Sequence, residues 1–428
     1  MKTINLTDLT NTEFARIVNR SRGMDKAILP KVKRTIANVR TYGDRFLYEK
    51  YTKRFGDSYG SISVSQQEIQ NAYADISDDV IEALRQMIKN ITAVQKAQLP
   101  KIKDTVVRTE PGISVWREWR AIEKVGLYIP GGKATYPSSV LMSAIPAQIA
   151  GCKDIILCTP PRDNGQIPSA TLVAADLLGL TQIYKVGGAE AIAAMTYGTE
   201  TIPSVYKIFG AGNATVTAAK MAVLDTVSID MPAGPSEIFI IADETANPSY
   251  IAADLLADGE HGEDSACVLV TTSQTIAEQT IQEIKKQLPA LQTNKRAKAS
   301  LDAYGLFAIV PTLNEAITFT NTYAPEHLEV MTANPEAVVR RIQNAGSVFL
   351  GPWTSKATGD YATGANHVLP TGGMAKMYPP LGVDAYGKWM QVQKCTKRGL
   401  SMIKKTIETI ADTEQLPAHK NSVSIRFV

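Results

Sequence analysis

Only four histidines occur in the 428 residues, and each sits where a side chain can be aimed rather than packed. His261 stands in Asp258-Gly259-Glu260-His261-Gly262, His327 in Ala324-Pro325-Glu326-His327, His367 in Gly364-Ala365-Asn366-His367, and His419 in Leu416-Pro417-Ala418-His419-Lys420. Every one has Gly or Pro within a few residues, two directly follow Glu, and none lies in an apolar core pattern. Imidazole is the side chain that acts as base or metal ligand near neutral pH. Set beside carboxylates at element ends, these residues read as an imidazole-and-carboxylate active site. A single His in a turn is more often solvated or capping. The inference therefore rests on all four together.

Asp258 and His261 close a predicted helix at i, i+3, which puts both on one face. The pair can offer a carboxylate oxygen and an imidazole nitrogen to a divalent metal, or can merely end the helix. Asp360, in Thr358-Gly359-Asp360-Tyr361, and His419 are the best-placed further ligands. A mixed nitrogen and oxygen set fits zinc, and also manganese or cobalt. Adjacent Glu326 and His327 can divide acid–base labour, imidazole taking one proton and carboxylate another. Proton relay and metal ligation both stay open for that pair on local evidence, and standing alone it would read as a surface loop. Gly131-Gly132, Gly187-Gly188 and Gly210-Ala211-Gly212-Asn213 follow predicted strands and precede helices. Doubly wound folds bind nucleotides at such places, on bare backbone N–H groups and helix N-termini. None is G-x-G-x-x-G, and turn-forming glycine explains them equally.

The elements that must position these residues are legible in outline. Residues 1–115 read as mainly helical, with a small β element near Ser61–Val64. From Trp116 the rhythm becomes strand and helix in alternation: Gly126–Ile129, Asp154–Cys158, Gln182–Val186 and Tyr206–Phe209 are short apolar strands with helices between. The pattern resumes at Ile238–Ile241 and continues through Cys267–Val270, Leu306–Val310, Leu328–Met331 and Ser347–Leu350. This predicts an α/β protein with two doubly wound, Rossmann-like parallel sheets, covered on both faces. The division expected is a helical region 1–115, a first sheet unit 116–236, a second 237–375, and a basic helical tail 376–428. Net charge of +3 gives no footprint for nucleic acid or anionic membrane. No apolar run is long enough to span a bilayer, and the start is polar. Scattered Cys152, Cys158, Cys267 and Cys395 fit reduced, mostly buried thiols in a cytoplasmic protein.

Along nearly its whole length the chain resembles histidinol dehydrogenase. The resemblance is carried by Ile229-Asp230-Met231-Pro232-Ala233-Gly234-Pro235-Ser236-Glu237 and by Ala253-Asp254-Leu255-Leu256-Ala257-Asp258-Gly259-Glu260-His261-Gly262. It is carried also by Val125 to Gly132, Tyr136 to Val140, Tyr323 to Glu329, Gly359 to Ala362, Asn366 to Pro370, and Glu414 through Asn421. All four histidines fall inside these motifs. The resemblance implies oxidation of L-histidinol to L-histidine through histidinal, with NAD and one zinc per subunit, at the end of histidine biosynthesis. It implies a homodimer with shared active sites. Asp258, His261, Asp360 and His419 correspond to zinc ligands, His419 coming from the partner chain. Glu326 and His327 correspond to the acid–base pair. Ser236, Asp258, His261, His327, Asp360, Glu414 and His419 correspond to substrate contacts, with His367 close by. Tyr128, Glu190 and Asn213 stand where the family contacts NAD.

Three departures accompany the match. Asp258 replaces the family's usual Gln at the first zinc position, keeping an oxygen but adding negative charge. Glu190 replaces another Gln, where a carboxylate would repel pyrophosphate or accept from a ribose hydroxyl. Ala211 interrupts the usual Gly-Pro-Gly-Asn. A paralogue oxidising another amino alcohol or diol is the alternative reading, and a zinc-stabilised binding protein without activity a second one.

Overall fold

The computed structural model describes residues 2–20, 27–131 and 135–428; Gly132, half of the first glycine pair, lies outside them. Among the described residues the strands are β1 (Lys2–Asn5), β2 (Val107–Glu110), β3 (Ile113–Ala121), β4 (Lys124–Tyr128), β5 (Asp154–Cys158), β6 (Gln182–Tyr184) and β7 (Lys207–Phe209). They continue as β8 (Ser228–Ile229), β9 (Glu237–Ala242), β10 (Ala266–Thr271), β11 (Gly305–Ile309), β12 (His327–Met331), β13 (Ser347–Leu350) and β14 (Gly387–Cys395). One parallel sheet runs in the order β6-β5-β4-β7-β8 and a second in the order β1-β11-β10-β9-β12-β13. A third, antiparallel, has the order β14-β3-β2. The α/β class and the two doubly wound sheets are as the alternation predicts.

The strands are apolar runs because helices cover both faces. Every residue of β9 and of β12 is buried. Polar residues in such strands are therefore conspicuous, and there are three: Glu237, His327 and Glu329. Both sheets reverse their winding direction beside a central strand. In the first, β5 and β6 lie to one side of β4 while β7 and β8 lie to the other. In the second, β10 and β11 lie to one side of β9 while β12 and β13 lie to the other. Such reversals open a crevice at the sheet edge, the usual ligand position in this architecture.

Two segments differ from expectation. The helical N-terminal region holds β1, which pairs in parallel with β11 at the edge of the second sheet, and also β2 and the start of β3, which pair antiparallel. The C-terminal tail is helical over Lys397–Thr413 and Pro417–Ser424, but it begins with β14, which pairs antiparallel with all nine residues of β3. The expected β element near Ser61–Val64 is a single bridge, Ser63 to Tyr184. All four thiols are free; Cys158 and Cys267 are buried, Cys152 is half-buried and Cys395 is exposed. Among the described residues no helix is long and apolar enough to cross a membrane.

The turn after β7 is built around Gly210. Its φ is +117°, and a Cβ there would stand 2.0 Å from the Tyr128 carbonyl oxygen at the end of β4. Its N–H donates to Asp230 Oδ2 at 2.7 Å, and its carbonyl accepts from the buried Lys220 ammonium at 2.9 Å. Gly210→Ala is expected to destabilise the protein by at least about 1–3 kcal/mol through backbone strain alone, read as a lower denaturation midpoint; an unchanged midpoint would mean that the turn relaxes freely.

Candidate active site

Glu237 sets the geometry of the expected acid–base pair, Glu326 and His327, through its backbone. Residue 238 of β9 is paired with His327 of β12, so the two chains start side by side. The Glu237 N–H donates to Glu326 Oε2 at 2.8 Å. The Glu237 carbonyl lies 3.0 Å from His327 Nδ1. A carbonyl only accepts, so Nδ1 carries the hydrogen and Nε2 keeps its lone pair while the ring is neutral. Nε2 is buried and has no hydrogen-bond partner. It faces Asp360 Oδ1 at 4.0 Å. Burial lowers the His327 pKa, but the Glu326 carboxylate and Asp258 outweigh burial and Lys356, so it lies above its ordinary value. Glu237 is itself clamped. Arg20 binds both of its carboxylate oxygens, Nε to Oε1 at 2.8 Å, and Gly372 N–H donates to Oε1 at 3.0 Å. The Arg20 guanidinium also stacks 3.3 Å above the Tyr323 ring. Between Tyr323 and Glu326 the chain passes through Ala324 in the left-handed region at φ 53°, fully buried. That conformation is unusual for a non-glycine residue and turns the helix Leu313–Tyr323 sharply into the acid–base pair.

The predicted metal residues gather around a lysine. Asp258 ends the helix Pro248–Gly259, and His261 follows it with Nδ1 3.6 Å from Asp258 Oδ1. Asp360 lies on the short helix Lys356–Tyr361. Lys356, one turn earlier on that helix, extends its ammonium between them. Its Nζ stands 3.2 Å from Asp258 Oδ1, 2.9 Å from Asp360 Oδ2 and 3.4 Å from His261 Nδ1. The Lys356 side chain is 3% exposed and that of Asp258 not at all. Burial would raise both aspartates, but the ammonium, with the neighbouring imidazoles, holds each below its usual range. Burial would lower Lys356, yet the two carboxylates hold it above the normal lysine value, so it is charged.

These residues do not fit a zinc ion as they stand. Asp258 brings two buried oxygens that no hydrogen bond satisfies, which on its own would favour a metal. Their counter-charge, however, is already the ammonium. A dication about 2 Å from the same donors would stand about 3 Å from Nζ. That is a repulsion of about 10 kcal/mol even at an effective dielectric constant of about 20. Among the described residues no three His, Cys, Asp or Glu side chains form a group able to hold a metal ion. The fourth expected ligand is elsewhere: His419 and Glu414 are exposed on the tail, whose helices pack on each other and on β14.

The expected cofactor residues meet at the reversal of the first sheet. Tyr128 ends β4, and its hydroxyl accepts from Gly188 N–H at 3.2 Å. Asn213 caps the helix Ala214–Ala222, accepting from Thr215 and Val216 N–H at 3.1 and 3.2 Å. Glu190, buried on the helix Gly188–Tyr197, is ion-paired with Lys50 of the helix Ile28–Phe55. Its charge is thus answered within the protein, which removes the expected repulsion of a phosphate. Gly187 packs against Pro160, where a Cβ would clash at 2.3 Å. The bare backbone at these turns fits a dinucleotide's close approach.

Ser236 directly precedes β9 beside the pair. His367 is near as expected, but both its nitrogens are engaged: Nδ1 with the Asp360 carbonyl at 3.2 Å and Nε2 with Ser139 Oγ at 3.2 Å. It ties the Lys356–Tyr361 helix to the helix Pro137–Ala150 of the first sheet unit rather than facing a ligand. Sequence reasoning missed Lys356, Arg20, Asp254 and Glu329. Lys356 had a signal, its i, i+4 spacing from Asp360. Asp254 likewise lies at i, i+4 from Asp258. Arg20 had none, because its partner is distant in the chain.

A histidinol dehydrogenase family model matches residues 18–427. The histidinol dehydrogenase of Methanosarcina barkeri is 42% identical over 99% of this chain and 97% of its own. That of Vibrio cholerae is 44% identical over 100% and 98%. The crystal structure of histidinol dehydrogenase from Elizabethkingia anophelis superposes with a TM-score of 0.94 at 42% identity, covering 100% of this chain and 98% of that one.

Behind Lys356, burial raises the Asp254 pKa from 3.8 to about 6, and that of neighbouring Glu329 further above its norm. An acid whose pKa is raised by folding stabilises at low pH and loses that contribution as pH rises, here between 3.8 and about 6. Asp254→Asn removes the loss. The melting temperature of the variant relative to the parent should therefore climb between about pH 4 and about pH 7. A difference that stays flat over that range would show that Asp254 titrates normally.

Proposed function

The chain belongs to the histidinol dehydrogenase family, and from that premise we propose that it oxidises L-histidinol to L-histidine through histidinal, the last step of histidine biosynthesis, in the cytoplasm. The observation that carries this reading is the pinned pair: Glu326 and His327 held by one peptide group, with His327 Nε2 unpartnered. NAD, held by Tyr128, Asn213 and the turn at Gly187-Gly188, supplies the hydride acceptor when bound. Residues 116–236 thus serve the cofactor and 237–375 the chemistry.

Alcohol to carboxylate takes two hydride removals and one water. In the first half, His327 Nε2 takes the alcohol proton; the Glu326 carboxylate beside Nδ1, 3.5 Å away, stabilises the imidazolium that forms. In the second half, a water attacks the aldehyde carbon and Glu326 takes its proton. The Glu237 peptide keeps both groups in place throughout, so neither needs to reorganise. Zinc has no step here, because Lys356 stands among its expected ligands. A zinc-stabilised binding protein is set aside on the same ground. Oxidation of another amino alcohol or diol is the second reading, favoured by the charged Asp258–Lys356–Asp360 cluster; a panel of amino alcohols, histidinol included, assayed for NADH formation separates the two.

The tail supports a homodimer with shared sites. Trp389, Met390, Met402 and Ile410 are exposed large apolar residues along β14 and the helix Lys397–Thr413. A second copy would cover them and bring Glu414 and His419 to its partner's site.

His327→Asn should slow histidinol oxidation by about 10²–10⁴-fold. Glu326→Gln should impair histidinal oxidation at least as severely as histidinol oxidation. Single-turnover NADH formation from each substrate reads both; parental histidinal oxidation by Glu326→Gln would refute this division of roles. Mixing the slowed His327→Asn chains with His419→Ala chains should restore activity above that of either variant alone, since a mixed dimer keeps one intact site. No recovery after verified subunit exchange would mean that each site is built from one chain.

A further inference from the structure

We propose that the Lys356 ammonium takes the place of the divalent cation, so that this enzyme assembles its active site and oxidises its alcohol without zinc. The inference rests on the reading of this cluster as the dehydrogenase centre. Three of the four residues that the resemblance assigns to zinc already converge on one cation. Asp258 Oδ1, Asp360 Oδ2 and His261 Nδ1 lie 3.2, 2.9 and 3.4 Å from Lys356 Nζ, close to the spacing at which an ammonium donates. The two carboxylates are ion-paired with the ammonium and His261 Nδ1 lies within hydrogen-bond reach of it, while the Asp258 contact is one of charge and not an aligned hydrogen bond.

The lysine is fixed by the fold rather than free to swing away. It opens the helix Lys356–Tyr361, Asp360 is one turn further on, and Gly359 lets that helix lie directly on the Phe349 ring, where a Cβ would stand 2.6 Å from Cε1. Asp258 comes from a different helix and is completely buried. A neutral glutamine at position 258 would need no counter-charge; an aspartate there does. Asp258 and Lys356 therefore make sense as a pair: the carboxylate at 258 is balanced by the ammonium of Lys356. The pair also does structurally what a metal would do. It joins the end of the helix Pro248–Gly259 to the helix Lys356–Tyr361 and holds Asp360 opposite His327 Nε2. An ammonium supplies no open coordination position. The substrate's polar groups must then be met by Asp360, His261 and the partner's residues as hydrogen-bond and ionic contacts, which suits a substrate bearing a protonated amine.

The test is metal content. The full-length enzyme, purified in the presence of zinc chloride and dialysed, should hold less than about one-tenth of a zinc per chain by elemental mass spectrometry. Its melting temperature and NADH formation should be unchanged by a strong chelator. Lys356→Ala should bind zinc chloride at least about 100-fold more tightly than the parent in calorimetric titration, because three donors are released to a metal. If that variant does not fold, Asp258→Gln combined with Lys356→Ala removes the unbalanced charge and serves for the same titration. About one zinc per parent chain, lost to chelator together with thermal stability or activity, would overturn the proposal. Metal content and melting are read without substrate, so absence of NADH from every alcohol tried would count against the functional reading and leave this measurement standing.

Discussion

Two aspartates from separate helices are buried against a single ammonium, and the site cannot be assembled without that triad. Removing water from a carboxylate is costly, and the cost is met only when an opposite charge is close and well oriented. Asp258 meets that condition chiefly through Lys356, with the His261 and His327 imidazoles close by. The same ammonium fixes Asp360, and Asp360 faces the His327 imidazole. Behind it, burial raises the pKa of Asp254 to about 6 and that of Glu329 well above its ordinary value, which resists the build-up of further negative charge in one buried volume. The cluster is a balance of charges in which one lysine is the common term.

The two sheets contribute in different ways. The first offers bare backbone at its reversal, where Gly210 lets β7 approach β4 and Asn213 starts a helix. The second offers side chains at the opening of β9 and β12, where Glu237, Glu326 and His327 meet. His367 links the halves through Ser139 and the Asp360 carbonyl, and burial keeps it neutral by lowering its pKa. A neutral imidazole can accept from the serine hydroxyl while donating to the carbonyl, which an imidazolium cannot. Its role is to register one unit against the other.

Much of this was readable from residues alone. The parallel strands announced themselves because burial on both faces leaves only apolar residues, and Glu326-His327 stood out against that background. β14 was not readable. It is solvated on both faces, mixes Lys388, Gln391, Gln393 and Lys394 with Trp389 and Val392, and acquires its extended form only by pairing with β3. Lys356 was visible but misleading. A lysine ordinarily signals surface, and its burial depends on a carboxylate from a helix about a hundred residues earlier. His419 and Glu414 have no partner to declare them within one chain, so their place rests on resemblance.

Arg20 gives the fold an order of events. It reaches across 217 residues to Glu237 and 303 to the Tyr323 carbonyl, while β1 closes the edge of the second sheet only once β11 exists. During synthesis the N-terminal segment emerges first, and its strand then waits for nearly three-quarters of the chain before β11 exists to pair with it. Its strand edge stays unpaired for that interval, a template for mispairing, and pairing of such distant segments is intrinsically slow.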